Sequence, residues 1–380
     1  MKHRNITTLK HISLFGGLIF YAPVALLVRT RMGITYSQFF VLQAVLSISI
    51  FIFEIPCGYI TDKIGYRKTL ILNSTFTFLA KTISILARIL MVFAGNFYFF
   101  CIEAILEGIS IALYSGTMSG YLYQLSEEHF AYSLSVVDNY SHLGFILSTL
   151  TFPYMYSIWG MDGLLALTAL CSFIGLLLSF RLPKEKKYPV KKNFSFSFHL
   201  TDITISLFIG IIKISFLIIN FFYIGILTQF RMDERYMSIL ILLYTTIQLN
   251  VPKLTQTFGE NNLLKKIYVC SVMCIFCIFS ISLCRSRTIF FPMLILPTLL
   301  SLLNVYFEKY QNNYIDYMGY GQQRATILSC YNMSANIIEV FFLLGSAKLE
   351  KINVFDIFTM LGCIFSIILI FILIFQARKK

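Results

Sequence analysis

Residues 54–70 read Glu54-Ile-Pro-Cys-Gly-Tyr-Ile-Thr-Asp-Lys-Ile-Gly-Tyr-Arg-Lys-Thr-Leu70 and form a short charged corner between two long apolar runs. The cations of this corner are Lys63, Arg67 and Lys68. Cytoplasmic loops of membrane proteins carry an excess of Lys and Arg, whereas a soluble domain has little reason to put a charged hinge between two long apolar segments. The stretch therefore predicts two membrane-spanning helices that turn around in the cytoplasm.

The composition extends this prediction to the whole chain. Of the 380 residues, 57% are hydrophobic and only 13% are charged, against about 25% charged in soluble domains. Apolar runs of about 20 residues, long enough to cross a hydrocarbon core of about 30 Å as a helix, recur along the sequence. The alternating segments of about 10 residues that build a membrane barrel are not seen. We therefore predict an all-α polytopic membrane protein.

The hydrophobic pattern predicts twelve transmembrane helices in two six-helix halves. The expected spans are 11–29, 37–60, 69–93, 97–123, 133–158, 161–181, 202–227, 236–258, 264–284, 288–310, 326–348 and 353–377. Between the sixth and seventh spans lies a charged stretch with two prolines and no apolar period. We expect an N-terminal half at 1–182, a cytoplasmic linker at 183–201 and a C-terminal half at 202–380.

The basic residues predict the orientation of these spans. With a cytoplasmic N-terminus, the inner segments hold 20 of the 31 Lys and Arg residues and the outer loops hold eight. This asymmetry favours both termini in the cytoplasm. It also accounts for the net charge of +13, so we expect no nucleic-acid partner, since no basic patch is interleaved with aromatic residues on a soluble surface.

Catalytic and cofactor motifs are missing from the sequence. It contains no phosphate-binding Gly-x-x-x-x-Gly-Lys-[Ser/Thr] loop, no His-Glu-x-x-His pattern and no zinc spacing. The nine cysteines are scattered, mostly within apolar runs, and suggest neither a disulfide framework nor a metal site. We expect a protein that is not an enzyme, binds no cofactor or metal, and draws any energy from an ion or substrate gradient.

The corner resembles the loop motif of the major facilitator superfamily of secondary transporters, Gly-x-x-x-Asp-x-x-Gly-x-Arg-Lys. The matching positions are Gly58, Asp62, Gly65, Arg67 and Lys68. The preceding Phe-Glu-Ile-Pro-Cys segment, and Gly-x-x-x-Ala-x-x-Ser-Gly at 108–116, are similar to stretches of many bacterial members. The resemblance implies that the corner packs beside the start of the eleventh span and gates the cytoplasmic side, with Gly58, Asp62, Gly65 and Arg67 as the gating motif.

Some features depart from the drug/proton antiporters of that superfamily. The arginine that often precedes the glycine of their fourth span is replaced here by Ala104, and the Gly-Pro-x-x-Gly-Gly element of their fifth span is absent. The second half contains only a weak echo of the corner, Pro252 to Asn261. The two halves are therefore not expected to form equivalent gates.

Ionisable residues inside spans are costly and are candidate functional groups. The third span carries Lys81 and Arg88, and the fourth carries Glu103 and Glu107. Counting from the turn between these spans predicts the pairs Arg88–Glu103 and Lys81–Glu107. Both pairs can be purely structural, and Glu107 is the best candidate for a function because the fourth span of the resembled fold lines the cavity.

The second half adds further polar residues within predicted spans. The candidates for proton coupling or substrate contact are Lys213, Asn304, Glu308 and Glu339. A buried carboxyl beside a lysine can exchange a proton for an ionic partner, so our hypothesis is that Glu107 or Glu339 carries the proton. Glu54, at the inner end of the second span, is interpreted as a helix-end or gate residue.

From the resemblance we expect a secondary active transporter that exports a small amphipathic compound (a drug, toxin or peptide antibiotic) by proton antiport and alternating access. It is expected to act as a monomer in a bacterial plasma (inner) membrane, with protons and a small-molecule substrate as partners. One alternative is proton-coupled uptake of a small metabolite. The other is a membrane protein without transport that acts in immunity or sensing.

Overall fold

The computed structural model describes residues 2–22, 28–30, 32–89, 96–185, 200–231, 236–346 and 353–377. Every long regular element in these ranges is an α-helix, and no strand occurs within them. The helices are α1 (Lys2–Gly17), α2 (Tyr36–Ile64), α3 (Tyr66–Ile89), α4 (Asn96–Leu125), α5 (Phe130–Ser179), α6 (Leu200–Gln229), α7 (Tyr236–Gln248), α8 (Val251–Phe258), α9 (Leu263–Leu283), α10 (Phe290–Tyr317), α11 (Arg324–Ser346) and α12 (Val354–Ala377).

These helices account for the twelve predicted spans. Helix α5 is 50 residues long and contains a non-helical residue at Gly160, with φ of 61°, which divides it into the fifth and sixth spans. Helices α7 and α8 together make the eighth span. Eight of the described helices are long and apolar enough to cross a membrane by length and composition, with α5 counted once among them. The prediction of an all-α polytopic membrane protein is confirmed.

The first span differs from its expected extent of 11–29. Helix α1 already begins at Lys2 and ends at Gly17, after which the described chain turns. The adjacent Gly16 and Gly17 are poor helix formers, and the helix stops there. The backbone N–H of Phe20, freed by this break, donates to the Thr168 hydroxyl at 3.1 Å. The Thr168 hydroxyl therefore replaces the helical hydrogen-bond acceptor that the Phe20 amide lacks.

The chain divides into two compact units. The first contains residues 1–192 together with 315–330, and the second contains 193–314 and 331–380. The short segment Ile315–Cys330, which ends α10 and begins α11, thus packs with the helices of the first half. The division of the chain at 182 and 202 stays a prediction.

Within the first unit, α1 packs against α5, and α4 packs against both α2 and α3. One apolar cluster at the end remote from the corner centres on Phe100, Met32 and Leu165, all at least 98% buried. A second cluster, around Cys57, Ala112 and Leu113, joins α2 to α4 close to the corner. These clusters fix the faces of α2, α3 and α4 that carry the polar residues of the site.

Within the second unit, aromatic rings pack the helices together. The ring of Phe208 on α6 lies 4.5 Å from that of Phe307 on α10 and 6.0 Å from that of Phe365 on α12, measured between centroids. Tyr223 and Phe358 stack at 6.0 Å, and the Tyr223 hydroxyl donates to the Met293 carbonyl at 3.0 Å. The three helices are therefore joined by buried rings whose single polar tip is satisfied.

Candidate functional site

The corner between α2 and α3 is built around Gly65. Its φ of +95° lies in a region that side chains rarely adopt, and its N–H still donates to the Thr61 carbonyl at 2.8 Å. Thr61 is 1% exposed, and its hydroxyl bonds the Cys57 carbonyl and the Thr117 hydroxyl, each at 2.8 Å. Glycine ends α2 here because only glycine reverses the chain at this φ without strain.

Asp62, on the last turn of α2, caps the start of α11. Its carboxylate accepts hydrogen bonds from the backbone N–H groups of Ala325 at 3.1 Å and Thr326 at 2.9 Å, and from the Thr326 hydroxyl. These N–H groups belong to the first turn of α11, where the helix dipole favours a negative charge. The contact that the resemblance implied for Asp62 is thus present within the first unit.

Two glycines let α11 approach closely. A Cβ on Gly58 of α2 would lie 2.7 Å from the Ser329 hydroxyl and 2.9 Å from the Ala325 carbonyl oxygen. A Cβ on Gly116 of α4 would lie 2.9 Å from that same carbonyl oxygen and 3.4 Å from Leu328. Both positions exclude a side chain because the backbone of α11 occupies the space.

Arg67 joins the start of α3 to the end of α5 and to the linker. Its guanidinium donates to the Phe180 carbonyl at 2.7 Å, at the end of α5. Its backbone N–H donates to the Glu185 carboxylate at 3.3 Å, so an acid at the start of the linker caps α3. The reason is chain direction, since the end of α5 returns beside the start of α3.

The echo of the corner in the second half has a similar backbone and different side-chain contacts. Gly259 ends α8 with φ of +66°, and its N–H donates to the Thr255 carbonyl at 2.9 Å. Lys266 donates to the carbonyl oxygens of Phe258 at 2.6 Å and Gly259 at 2.8 Å, while Glu260 pairs with Lys309. At the position equivalent to Asp62 stands Gln256, which is exposed.

The predicted pair Lys81–Glu107 is formed between α3 and α4. The Lys81 ammonium is almost wholly buried, whereas the Glu107 side chain is 30% exposed. Lys81 also donates to the Tyr21 hydroxyl at 3.2 Å. The ammonium end of the pair is therefore enclosed by the helices, while part of the Glu107 side chain is accessible.

The predicted pair Arg88–Glu103 is wrong. Glu103, 1% exposed, accepts from Arg29 at 2.7 Å and from the Ser84 hydroxyl, while Arg88 donates to Asp162 at 2.7 Å. Counting residues from the turn predicts how deep each side chain lies in the membrane. It does not predict the direction in which the side chain points around its helix. Arg88 points toward α5, and Glu103 toward the chain after α1. Arg29 stands at the end of the first predicted span, and nothing in the sequence indicated that it is the partner of Glu103.

Three of the four candidate residues of the second half form hydrogen bonds between polar side chains. Lys213 on α6 donates to the Asn336 side-chain oxygen on α11 at 2.8 Å, and Asn304 donates to Glu308 one turn along α10 at 3.0 Å. Helix α11 includes position 339, but the side chain of Glu339 lies outside the described residues.

A buried acid of this unit was missing from the sequence-based candidates. Asp202, at the start of α6, accepts a hydrogen bond from the hydroxyl of Tyr331, and both side chains are 1% exposed. Its only signal in the sequence was an acidic residue at the start of an apolar run.

Long apolar helices in two units, with buried ion pairs between helices and a glycine-lined corner that caps a later helix, define a polytopic membrane transporter. The chain belongs to the Major Facilitator Superfamily, whose sequence model matches residues 11–378. Members of this superfamily are transporters and not enzymes, and the chain is a multi-pass membrane protein. No curated protein sequence matches it.

Solved structures of the same fold cover nearly the whole chain. The human organic anion transporter MFSD10 (TETRAN) is 13% identical, with a TM-score of 0.75 over 97% of this chain and 99% of that one. A bacterial homologue of the iron transporter ferroportin is 11% identical, with a TM-score of 0.77 over 99% of each chain. The proton:xylose symporter XylE is 13% identical, with a TM-score of 0.73 over 99% of this chain and 96% of that one. At these identities the likeness shows the fold alone.

Proposed function

We propose that this protein is a secondary active transporter that exports a small amphipathic compound in exchange for protons. The proposal assigns proton exchange to Glu107 and Lys81, and cytoplasmic closure to the corner around Asp62. It also takes the membrane to be a bacterial plasma membrane, with both termini in the cytoplasm and the protein acting as a monomer. The observation that carries the proposal is the pair between the buried Lys81 ammonium and the carboxylate of Glu107, whose side chain is 30% exposed.

The pair suits proton exchange because its two members have unequal access. A proton that reaches the Glu107 carboxylate neutralises it and removes the nearest counter-charge of Lys81. Among the contacts of the described residues, the ammonium then keeps the Tyr21 hydroxyl, at 3.2 Å, and the face of the Tyr21 ring, 5.7 Å away. An uncompensated buried charge is costly, so protonation of Glu107 favours any rearrangement that gives Lys81 a new partner or water.

The corner supplies a second element that a transport cycle needs. Asp62 holds the first turn of α11 by charge-assisted hydrogen bonds, which are stronger than neutral ones. Gly58 and Gly116 admit that turn against α2 and α4. We assign to Asp62 the closing contact of the cytoplasmic side, as the superfamily motif implies, and to Arg67 the fixing of the corner onto the end of α5.

The export direction is supported by the similarity of the segments at 53–58 and 108–116 to those of bacterial exporters. Proton-coupled uptake of a small metabolite is the second candidate. The observation in its favour is the shared fold with XylE, a proton:xylose symporter. A non-transporting role in immunity or sensing would leave the Glu107–Lys81 pair without a task beyond structure.

The test uses purified protein in proteoliposomes with an imposed pH gradient and ethidium as a cationic amphipathic probe. We expect dye movement that depends on the gradient and is abolished by a protonophore. Glu107→Gln should reduce it at least tenfold, because the neutral amide no longer exchanges a proton, and Glu339→Gln is measured in parallel. Glu128→Gln, at an exposed position after α4, is the matched control.

The outcomes separate the candidates. If Glu107→Gln and Glu339→Gln both keep native gradient-driven transport, the proton-coupling role is refuted. If cells that express the protein accumulate more of a toxic probe, and a protonophore abolishes this accumulation, uptake replaces export. If Asp62→Asn and Glu107→Gln leave the cellular phenotype of the gene unchanged, the non-transporting role is favoured.

A further inference from the structure

Tyr123, on the last turns of α4, lies under the guanidinium of Arg324. The centre of that guanidinium is 4.1 Å from the centroid of the Tyr123 ring. Both side chains are about 4% exposed, so the cation faces the ring in a site from which water is largely excluded. Such cation–π contacts are strongest when they are desolvated.

Arg324 is the first residue of α11, next to the two residues that Asp62 caps. Its guanidinium also pairs with Asp316 across the turn that joins α10 to α11. The Asp316 carboxylate also lies near the Tyr123 hydroxyl, and that hydroxyl contacts the Glu127 carboxylate one turn further on at 3.5 Å. The ion pair therefore fixes the turn between α10 and α11, and the buried guanidinium of Arg324 packs on the Tyr123 ring of α4.

The start of α11 is therefore attached at two places within the first unit. Asp62 holds the backbone of the first turn of α11 against α2. Tyr123 holds the side chain of Arg324, the first residue of α11, against α4. Ser329, fully buried on the next turn, lies between these two points, against Gly58 and Gly116. A movement of α11 away from α2 and α4 must break both attachments before Ser329 becomes accessible.

We propose that Tyr123 is a positioning residue of the transport cycle, and that its ring, acting through Arg324, provides a second holding point for the start of α11 that is independent of Asp62. The inference rests on the proposed role of this contact in cytoplasmic closure. Tyr123 touches neither the proton-coupling pair nor Asp62 in the described contacts. Its effect is therefore on how often α11 is released and not on the exchange of protons.

The test measures the release of α11 directly. The nine native cysteines are replaced by alanine, Ser329→Cys is introduced, and its rate of reaction with N-ethylmaleimide is measured in proteoliposomes. We expect Tyr123→Leu to raise the rate about tenfold, the scale of a desolvated cation–π contact. Tyr123→Phe, which keeps the ring and loses the hydroxyl, should stay within about threefold of the parent. Tyr114→Leu, at a tyrosine of the same helix that is 38% exposed, is the control.

Asp62→Asn in the same background separates this inference from the proposed gate. A higher rate in both Asp62→Asn and Tyr123→Leu, and a larger one in the double variant, supports two independent holding points. A higher rate in Asp62→Asn alone overturns the role of Tyr123 and leaves the gate. No increase in either variant refutes the gate itself. Equal increases in Tyr123→Phe and Tyr123→Leu would assign the effect to the hydroxyl and overturn the role of the ring.

A second measurement covers the case in which the cysteine replacements unfold the protein. Hydrogen exchange of the Ala325 and Thr326 amides is followed in the protein with its native cysteines. Tyr123→Leu should speed this exchange about tenfold, and Tyr123→Phe should not. Unchanged exchange in Tyr123→Leu would overturn the proposal, because these amides open only when the first turn of α11 is released.

Discussion

Replacing Glu103 by Gln should destabilise the first unit severely, although the new side chain has almost the same shape. Glu103 is 1% exposed, and its carboxylate is the anion that Arg29 contacts at 2.7 Å. The Arg29 guanidinium also rests on the Phe100 ring, 4.2 Å from its centroid, inside an apolar cluster. The amide of Gln can still accept from the Ser84 hydroxyl, but it brings no charge. Arg29 would then be a buried cation without its counter-ion.

Breaking a buried ion pair by removing one partner costs about 3–5 kcal/mol. For a unit of about 200 residues, each kcal/mol lowers the melting temperature by about 2–4 °C. Glu103→Gln should therefore lower it by at least about 6 °C. The double variant Glu103→Gln/Arg29→Gln removes both charges, and should recover at least half of that loss, because replacing both members of a buried pair is often close to neutral.

The assay is thermal unfolding in detergent, followed by the fluorescence of a thiol-reactive dye that detects the buried cysteines as they become exposed. A double-mutant cycle gives the coupling between Arg29 and Glu103. Glu127→Gln, at an exposed position after α4, should move the melting temperature by less than about 1 °C, as expected for a surface charge. A shift of under 2 °C in Glu103→Gln, or a double variant less stable than the single one, would refute the reasoning.

Two further predictions concern stability. Gly116→Ala should cost about 1–3 kcal/mol, because its Cβ would lie 2.9 Å from the Ala325 carbonyl oxygen and overpacking carries that cost. Gly16→Ala, where the space is open, should be neutral or stabilising, so equal melting temperatures for these two variants would contradict the packing argument. Arg88→Gln should cost less than about 1 kcal/mol, because its pair with Asp162 is 36% and 69% exposed. A loss as large as that of Glu103→Gln would mean that exposure does not decide the strength of these pairs.

The site could be predicted from the sequence where a local rule decides the geometry. The charged corner predicted that two helices turn around, and Gly65, within that corner, has a positive φ. The resemblance, and not a local rule, implied that the corner packs beside the start of the eleventh span, and Asp62 accepts hydrogen bonds from the first turn of α11. Lys81 and Glu107 were paired by counting from a turn. This counting succeeds when the faces that carry the two side chains also point toward each other across the neighbouring antiparallel helices.

The same counting failed for Arg88 and Glu103 because depth in a membrane does not determine direction around a helix. The partner of Glu103 comes from the chain after α1, and no periodicity signals it, since Arg29 lies beyond the end of a helix that stops at Gly17. The contact of Arg67 with the end of α5 was also missed. That contact depends on where α5 returns, which is set by the packing of several helices together.

The sequence by itself determined the class of the protein and its order of spans. A backbone in lipid must satisfy its hydrogen bonds internally, so the length and spacing of the apolar runs are enough to predict helices, and the charged corner is enough to suggest the superfamily. Only the tertiary structure decided which polar groups meet. A buried charge takes its partner from whichever helix faces it, and that choice depends on the rotation of each helix about its axis. The corner from Glu54 to Leu70 contains both cases, since its turn follows from its own glycine and its hold on α11 follows from packing.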